Sequence, residues 1–302
     1  MELLEAQPKV LKSVGFPWKP LRLVPLGDMQ VGAEGFNASR FGRFIDNALQ
    51  RDSYFIGMGD YSDFLSPSNR RFLANAGLYD TAQQLIEEWH LTQLEGIKEM
   101  LKATKGRWLG LLQGHHYYEF DPMTTTDTEL ARYLDAPYLG DCAMVRVSFA
   151  KGNPTHPASL SKVIWAHHGA GGGVSAASAL TKLERYAGYV DADVLLMGHQ
   201  SKLGYLPKPR FGMSASRGRL GGKERHGTPR LVNRTQHLIA TGAWMEGYHV
   251  GTPKRGRPQG SYVEKSMMVP AALGGMAVIF EPHLFPQSNS YEIRIRVEGG
   301  DD

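Results

Sequence analysis

A chain of 302 residues with 42% apolar content can bury a sizeable core, and α/β folds of this length are often one domain. A single cysteine, Cys142, excludes an internal disulfide, and no apolar run approaches a membrane span; the first twenty residues, with Glu2 and Glu5 and no long apolar core, do not read as a signal peptide, so a cytoplasmic protein is expected. The net charge of +4 and the pI near 9.0 trace to one region, because residues 202–234 hold nine basic residues against one acid, Glu224.

In chain order, residues 3–20 carry prolines and little periodicity and read as a surface strap. An apolar strand over 21–26 stops at Gly27-Asp28-Met29-Gln30, and Asn37 or Ser39 then caps a helix whose inner face is Phe41, Phe44, Ile45 and Leu49. A strand over 54–58 stops at Gly59-Asp60-Tyr61-Ser62-Asp63. Ser66 and Pro67 open a helical stretch. Asp80 caps the longest helix, about 81–104, with Leu85, Ile86, Trp89, Leu94, Ile97 and Leu101 on its apolar face and His90 packing among them.

The central strand, 108–112, stops at Gly114-His115-His116. Thr126 or Asp127 caps a short helix, and a strand is expected over 138–149. Residues 151–161 read as a turn in which His156 is incidental. A strand over 163–166 ends in His167-His168-Gly169, and the glycine-rich loop after it lacks the Lys-Ser/Thr of a phosphate-binding P-loop. A helix over 176–189 leads to a strand, 194–197, ending in Gly198-His199. The basic insert that follows is rich in glycine and proline, so regular structure is not expected before Leu231; it reads either as a docking segment for phosphate-bearing partners or as a solvated loop. Closing strands are expected over 237–241, 276–281 and 291–297. Residues 1–302 are therefore read as one domain with an insert at about 202–234.

Five apolar strands thus each deliver an Asp or a His to one sheet edge, the edge where open α/β sheets hold their ligands. These are residue types that bind divalent cations. The spacings from Asp28 to Asp60 and from His167 to His199 are both 32 residues, room for one strand-helix-strand unit each.

The order Asp-x-Gln, Gly-Asp-x-x-Asp, Gly-His-His, His-x-Gly, Gly-His, spanning about residues 22–202, resembles the calcineurin-like metallophosphoesterase family, whose pattern is Asp-x-His, Gly-Asp-x-x-Asp, Gly-Asn-His, His, Gly-His-x-His. The resemblance implies an α/β fold of two packed mixed β-sheets flanked by helices, and hydrolysis of phosphate esters by two divalent ions. Carried over by position, it makes Asp28 and Gln30 ligands of the first ion and Asp60 a bridge. His115, His167 and His199 hold the second ion, and His116 is the general acid. Asp63 orients a neighbour or caps its loop, and His168 lies behind the ligands. Lys202, Lys208 and Arg210 of the insert are expected beside the site, against the substrate.

Three positions depart from the pattern: Gln30 and Ser201 stand where the family has His, and His115 where it has Asn. Oxygen donors at the first site suit Mg or Mn, and imidazoles at the second suit Mn, Fe or Zn; Mn suits both. The function expected is a phosphodiesterase or nuclease acting on a nucleotide or nucleic acid. A phosphomonoesterase of small metabolites, or a nucleic-acid-binding protein with a degenerate metal site, are the alternatives.

Overall fold

The computed structural model describes residues 10–12, 15–151, 158–173, 175, 177–214, 217–220, 223–226, 230–248, 253–254, 257–258, 262–265, 267, 269–270, 272–285 and 290–299. In chain order the elements are β1 (Val10–Lys12), β2 (Phe16–Pro17), β3 (Leu21–Leu26), α1 (Ala38–Gln50), β4 (Tyr54–Gly57), α2 (Pro67–Asn75), α3 (Asp80–Leu101), β5 (Trp108–Leu112), β6 (Glu119–Asp121), β7 (Thr124–Thr125), α4 (Thr126–Tyr133), β8 (Tyr138–Gly140), β9 (Cys142–Lys151) and β10 (Ala158–His167). There follow α5 (Ser178–Tyr186), β11 (Val194–Met197), β12 (Leu203–Ser214), β13 (Arg217–Leu220), β14 (Lys223–His226), β15 (Arg230–Thr241), β16 (Pro253–Lys254), β17 (Arg257–Pro258), α6 (Tyr262–Lys265), β18 (Ala277–Phe285) and β19 (Ser290–Glu298).

Two mixed sheets dominate. One runs β19-β18-β3-β4-β5-β8, and the other runs β1-β9-β10-β11-β15-β12, with β2 also paired to β9. Alternation along the strands sorts the buried apolar side chains into three cores. Leu21, Leu23, Ile56 and Met58 of the first sheet meet Val145, Val147, Ile164, Ala166, Val194, Leu196 and Ile239 of the second, forming the layer between the sheets. The opposite face of the first sheet, with Val24, Leu26, Phe55 and Leu111, packs on Phe41, Phe44 and Ile45 of α1, Leu94, Ile97 and Leu101 of α3, and Leu130 of α4. On the outside of the second sheet Leu195, Met197, Leu238 and Ala240 pack on Ala179 and Leu183 of α5. The fold is α/β, two packed mixed sheets flanked by helices. Among the described residues no helix is long and apolar enough to cross a membrane.

Pairs β3/β4, β4/β5, β10/β11 and β11/β15 are all parallel, so the strands expected to carry the site do end together. Local signals are obeyed in most places: the Asn37 side chain caps α1 by accepting from the Arg40 amide, and Ser66 caps α2 in the same way, accepting from the Asn69 amide ahead of Pro67. Several expectations need correcting. Residues 10–12 and 16–17 are strands on β9, not strap. Asp80 lies in the first turn of α3, whose cap residue is Tyr79, and the amino-terminal half of that helix leaves Leu85 and Trp89 exposed. Thr125, not Thr126 or Asp127, caps α4. The stretch expected as one strand over 138–149 is divided between the two sheets as β8 and β9.

The largest correction concerns the insert. Residues 203–214 and 230–241 form a continuous antiparallel ribbon despite Pro207 and Pro209, which an edge strand tolerates because a proline lacks only the N–H that would point outward. His156 lies outside the described residues.

Candidate metal centre

Each strand end turns sharply to aim its side chain. Of eight non-glycine residues with positive φ among those described, five lie here: Asp28, Gln30, Asp60, His199 and Ser201, with φ between 48° and 66°. Left-handed backbone of this kind costs of the order of 1–3 kcal/mol per residue and persists where surrounding structure enforces it, characteristically at functional sites. Glycines allow the ends to close on one another. A Cβ on Gly114 would overlap the amide nitrogen and carboxylate of Asp60, and one on Gly59 would lie 2.5 Å from His168 Nδ1.

Asp60, wholly buried, is the centre of the arrangement. Its Oδ1 accepts from the amides of His115 at 2.7 Å and His116 at 3.0 Å, and its Oδ2 accepts from Gln30 Nε2 at 3.3 Å and faces His115 Nδ1 at 2.8 Å. Burial raises the pKa of this carboxyl, but the hydrogen bond from His115 and the charges of His168, His115 and His116 outweigh burial and hold it well below the carboxylate range. Asp28 behaves oppositely: burial and the neighbouring Asp60 charge push it up, against the His199 amide that Oδ2 accepts at 2.7 Å. Its other oxygen, Oδ1, is buried with no hydrogen-bond partner among the described residues.

Three imidazoles close the other side. His115 Nδ1 lies 3.0 Å from His168 Nε2 and 3.2 Å from His199 Nδ1. One ligand atom from each of Asp60, His115, His168 and His199 falls within 4.8 Å of all the others. Burial, then His115 and His168, depress the His199 pKa to about 4, and burial also lowers His168. Imidazoles grouped around a carboxylate are a donor set for a divalent cation, and the orphaned Asp28 Oδ1 extends it with a hard oxygen. The residues fit a metal.

His167, favoured from the sequence as the ligand, is replaced in the cluster by His168. The strand explains why: Val163, Trp165 and His167 share the face toward α5, and the His167 ring lies 5.4 Å from Trp165 while its Nδ1 accepts from the Gly169 amide. One residue later the chain turns inward, and His168 Nδ1 meets the Met58 carbonyl at 2.7 Å. His116 lies beside the cluster, with Nδ1 3.0 Å from the Phe64 carbonyl and 3.6 Å from Asp63 Oδ1. Asp63 is itself exposed, so its carboxylate meets that ring from the solvent side.

Of the three cations expected at the site, Lys202 alone directly follows the turn at His199–Ser201, and its ammonium donates to the Val269 carbonyl at 3.1 Å. Lys208 and Arg210 lie down the ribbon toward the opposite end of the sheet, against Glu184 at 3.3 Å and Asp191 at 3.6 Å.

Two side chains that the motifs leave out fix the loop between β5 and α4. Asp127 is buried beneath it and accepts from the Gly114 amide at 2.9 Å; burial raises its pKa to about 7. Arg70 of α2 donates to the carbonyls of Leu65, His115 and Tyr117 at 2.5, 3.0 and 3.1 Å, and its guanidinium stacks 3.7 Å over the Tyr117 ring. A basic residue at helical position four after the cap Ser66 carries no motif, so nothing in the sequence singles it out.

No family model matches this chain, and no curated protein matches it. Among solved structures it is similar to a conserved uncharacterised protein of Streptococcus pneumoniae, described as a predicted phosphoesterase, at 9% identity, covering 91% of this chain and 98% of that one with a TM-score of 0.32, a likeness that carries no argument about chemistry.

Proposed function

We propose that this chain is a metal-dependent hydrolase of phosphate esters, and specifically a phosphodiesterase of the nucleotide or nucleic-acid class. The observation that carries the reading is the meeting of Asp60, His115, His168 and His199 beside the unpartnered Asp28 Oδ1. Asp28, Gln30 and Asp60 would hold one divalent ion and Asp60, His115, His168 and His199 a second, with Mn the ion that suits both donor sets. When bound, such ions neutralise phosphoryl charge and acidify a water for in-line attack.

The chain's own groups supply the rest. His116 is oriented by the Phe64 carbonyl at Nδ1, so its Nε2 is the atom from which a proton passes to the leaving oxygen, and Asp63 Oδ1 lies 3.6 Å from Nδ1. The buried Asp60 carboxylate, held below the usual carboxylate range, orients the site and keeps its negative charge in place.

The test is hydrolysis of bis(p-nitrophenyl) phosphate by chelated protein with Mn restored, beside p-nitrophenyl phosphate. Diester turnover that returns with Mn and exceeds monoester turnover is expected. Faster monoester turnover would make this a phosphomonoesterase, and no turnover of either with intact metal binding would overturn the enzymatic reading.

A further inference from the structure

The ribbon of β12 and β15 points away from the metal centre. Thr241, opposite Leu203, lies at the site edge, and Arg230, opposite Ser214, lies eleven residues back along β15, a distance of about 36 Å at strand spacing. β11 begins opposite His237, so residues 230–236 overhang it by about 23 Å. A two-stranded ribbon is marginal alone in water, and this one leaves a face uncovered.

Its two faces differ. The face continuing the inter-sheet layer carries Phe211, Met213 and Leu231, each 74% exposed, with Met213 directly opposite Leu231. On the other face Arg210 stands opposite Arg234, and Lys208 precedes them. Like charges directly opposed across a ladder destabilise it unless an anion lies between. Arg234 has no acidic partner among the described residues. Glu184 and Asp191, beside Lys208 and Arg210, form surface pairs worth at most about 1 kcal/mol, which phosphates can displace. The sequence onward adds Arg217, Arg219, Lys223, Arg225 and Arg230 against Glu224 alone.

We propose that this ribbon is a docking arm for duplex DNA, seated in the major groove and separate from the metal centre. The major groove admits a two-stranded β-ribbon, and its walls meet both faces at once: base edges and thymine methyl groups against Phe211, Met213 and Leu231, rim phosphates against the long cationic side chains. A lipid surface touches one face only. The deep, narrow major groove of an RNA duplex excludes the ribbon. A second copy of the chain is disfavoured at the outer edge, where Pro207 and Pro209 interrupt the row of N–H groups that strand addition needs.

Fluorescence anisotropy of the full chain with a labelled DNA duplex, its single strand, an RNA duplex and, by sedimentation, phosphatidylserine vesicles tests this. The DNA duplex should bind tightest. Replacing Arg210→Gln and Arg234→Gln together should flatten the dependence of log affinity on log salt by about two, one for each phosphate that no longer meets a guanidinium. Phe211→Ser with Met213→Ser should weaken binding without changing that slope. Neither pair should alter turnover of bis(p-nitrophenyl) phosphate, so the arm and the hydrolase reading fail separately. If the serine variant does not fold, the arginine pair decides alone. An unchanged salt slope, preference for vesicles or for single strands, or dimers abolished by the serine pair without any binding to DNA would each overturn the proposal.

Discussion

His168 lies between a ring nitrogen and a backbone acceptor: its Nε2 is 3.0 Å from His115 Nδ1, and its Nδ1 is 2.7 Å from the Met58 carbonyl oxygen. A carbonyl only accepts, so Nδ1 carries the proton and the Nε2 lone pair of the neutral ring is turned into the cluster. An imidazole that donates one N–H to the backbone and offers its other nitrogen is the usual arrangement of a metal ligand, and the backbone bond fixes both tautomer and ring angle. We therefore expect His168→Ala to lose a metal equivalent on dialysis, while His167→Ala retains it. Metal analysis of the two variants decides the assignment, and the opposite pattern would restore His167.

His116 stands apart from the ligand atoms, and its substitution should separate catalysis from metal binding. His116→Ala is expected to keep its full metal content and lose about 100-fold or more in kcat, within the range that general acid catalysis supplies. The loss should shrink for an ester whose leaving group is a strong acid, which needs no proton. An equal loss on both kinds of ester would sink the proton-donor role.

The five strand ends were legible because parallel buried strands are continuous apolar runs and each ends on a polar residue, whatever the distance between them in sequence. What escaped was parity and direction. Val163 and Trp165 set the period-two face to which His167 belongs, so the alternation itself assigns His168 to the site. The glycines and prolines of residues 204–222 read as loop because propensity is local, whereas a ribbon paired over twelve residues tolerates Pro207 and Pro209 on its outer edge. With β12 antiparallel to β15, Lys208 and Arg210 necessarily run away from the site at which His199, earlier in the chain, lies. Arg70 and Asp127 were invisible for a different reason: both act on backbone groups, which leave no spacing pattern.

Arg70 is a positioning residue whose effect should be measurable. The Asp60 carboxylate holds the amides of His115 and His116, and Arg70 holds the carbonyls of His115 and Tyr117, so the peptide groups of the loop are tied from both sides. Arg70→Ala should lower kcat about 10- to 100-fold through misplacement of His116, with metal content and KM for a small diester little changed. Arg70→Lys should rescue only in part, since an ammonium cannot both span the carbonyls and stack flat on Tyr117. A KM rise with kcat unaltered would show that the guanidinium meets substrate instead.

His237 gives the pH dependence of stability away from the metal centre. Its Nδ1 lies 2.8 Å from the Tyr205 hydroxyl, the two rings stack at 5.9 Å, and burial followed by the Lys162 charge, against Asp193, lowers its pKa to about 4. In the unfolded chain the group titrates near about 6.5, so below that pH the unfolded state takes up a proton that the folded state refuses. Stability from His237 is therefore complete above pH about 6.5 and falls as pH drops toward 4, by at most about 3 kcal/mol, levelling below. His237→Gln removes the titration while keeping a polar partner for Tyr205. Urea unfolding across this window should show the wild type losing stability faster than His237→Gln with falling pH, and the two curves running parallel above pH about 7. Parallel curves throughout would mean that the folded protein protonates His237 as readily as the unfolded chain does.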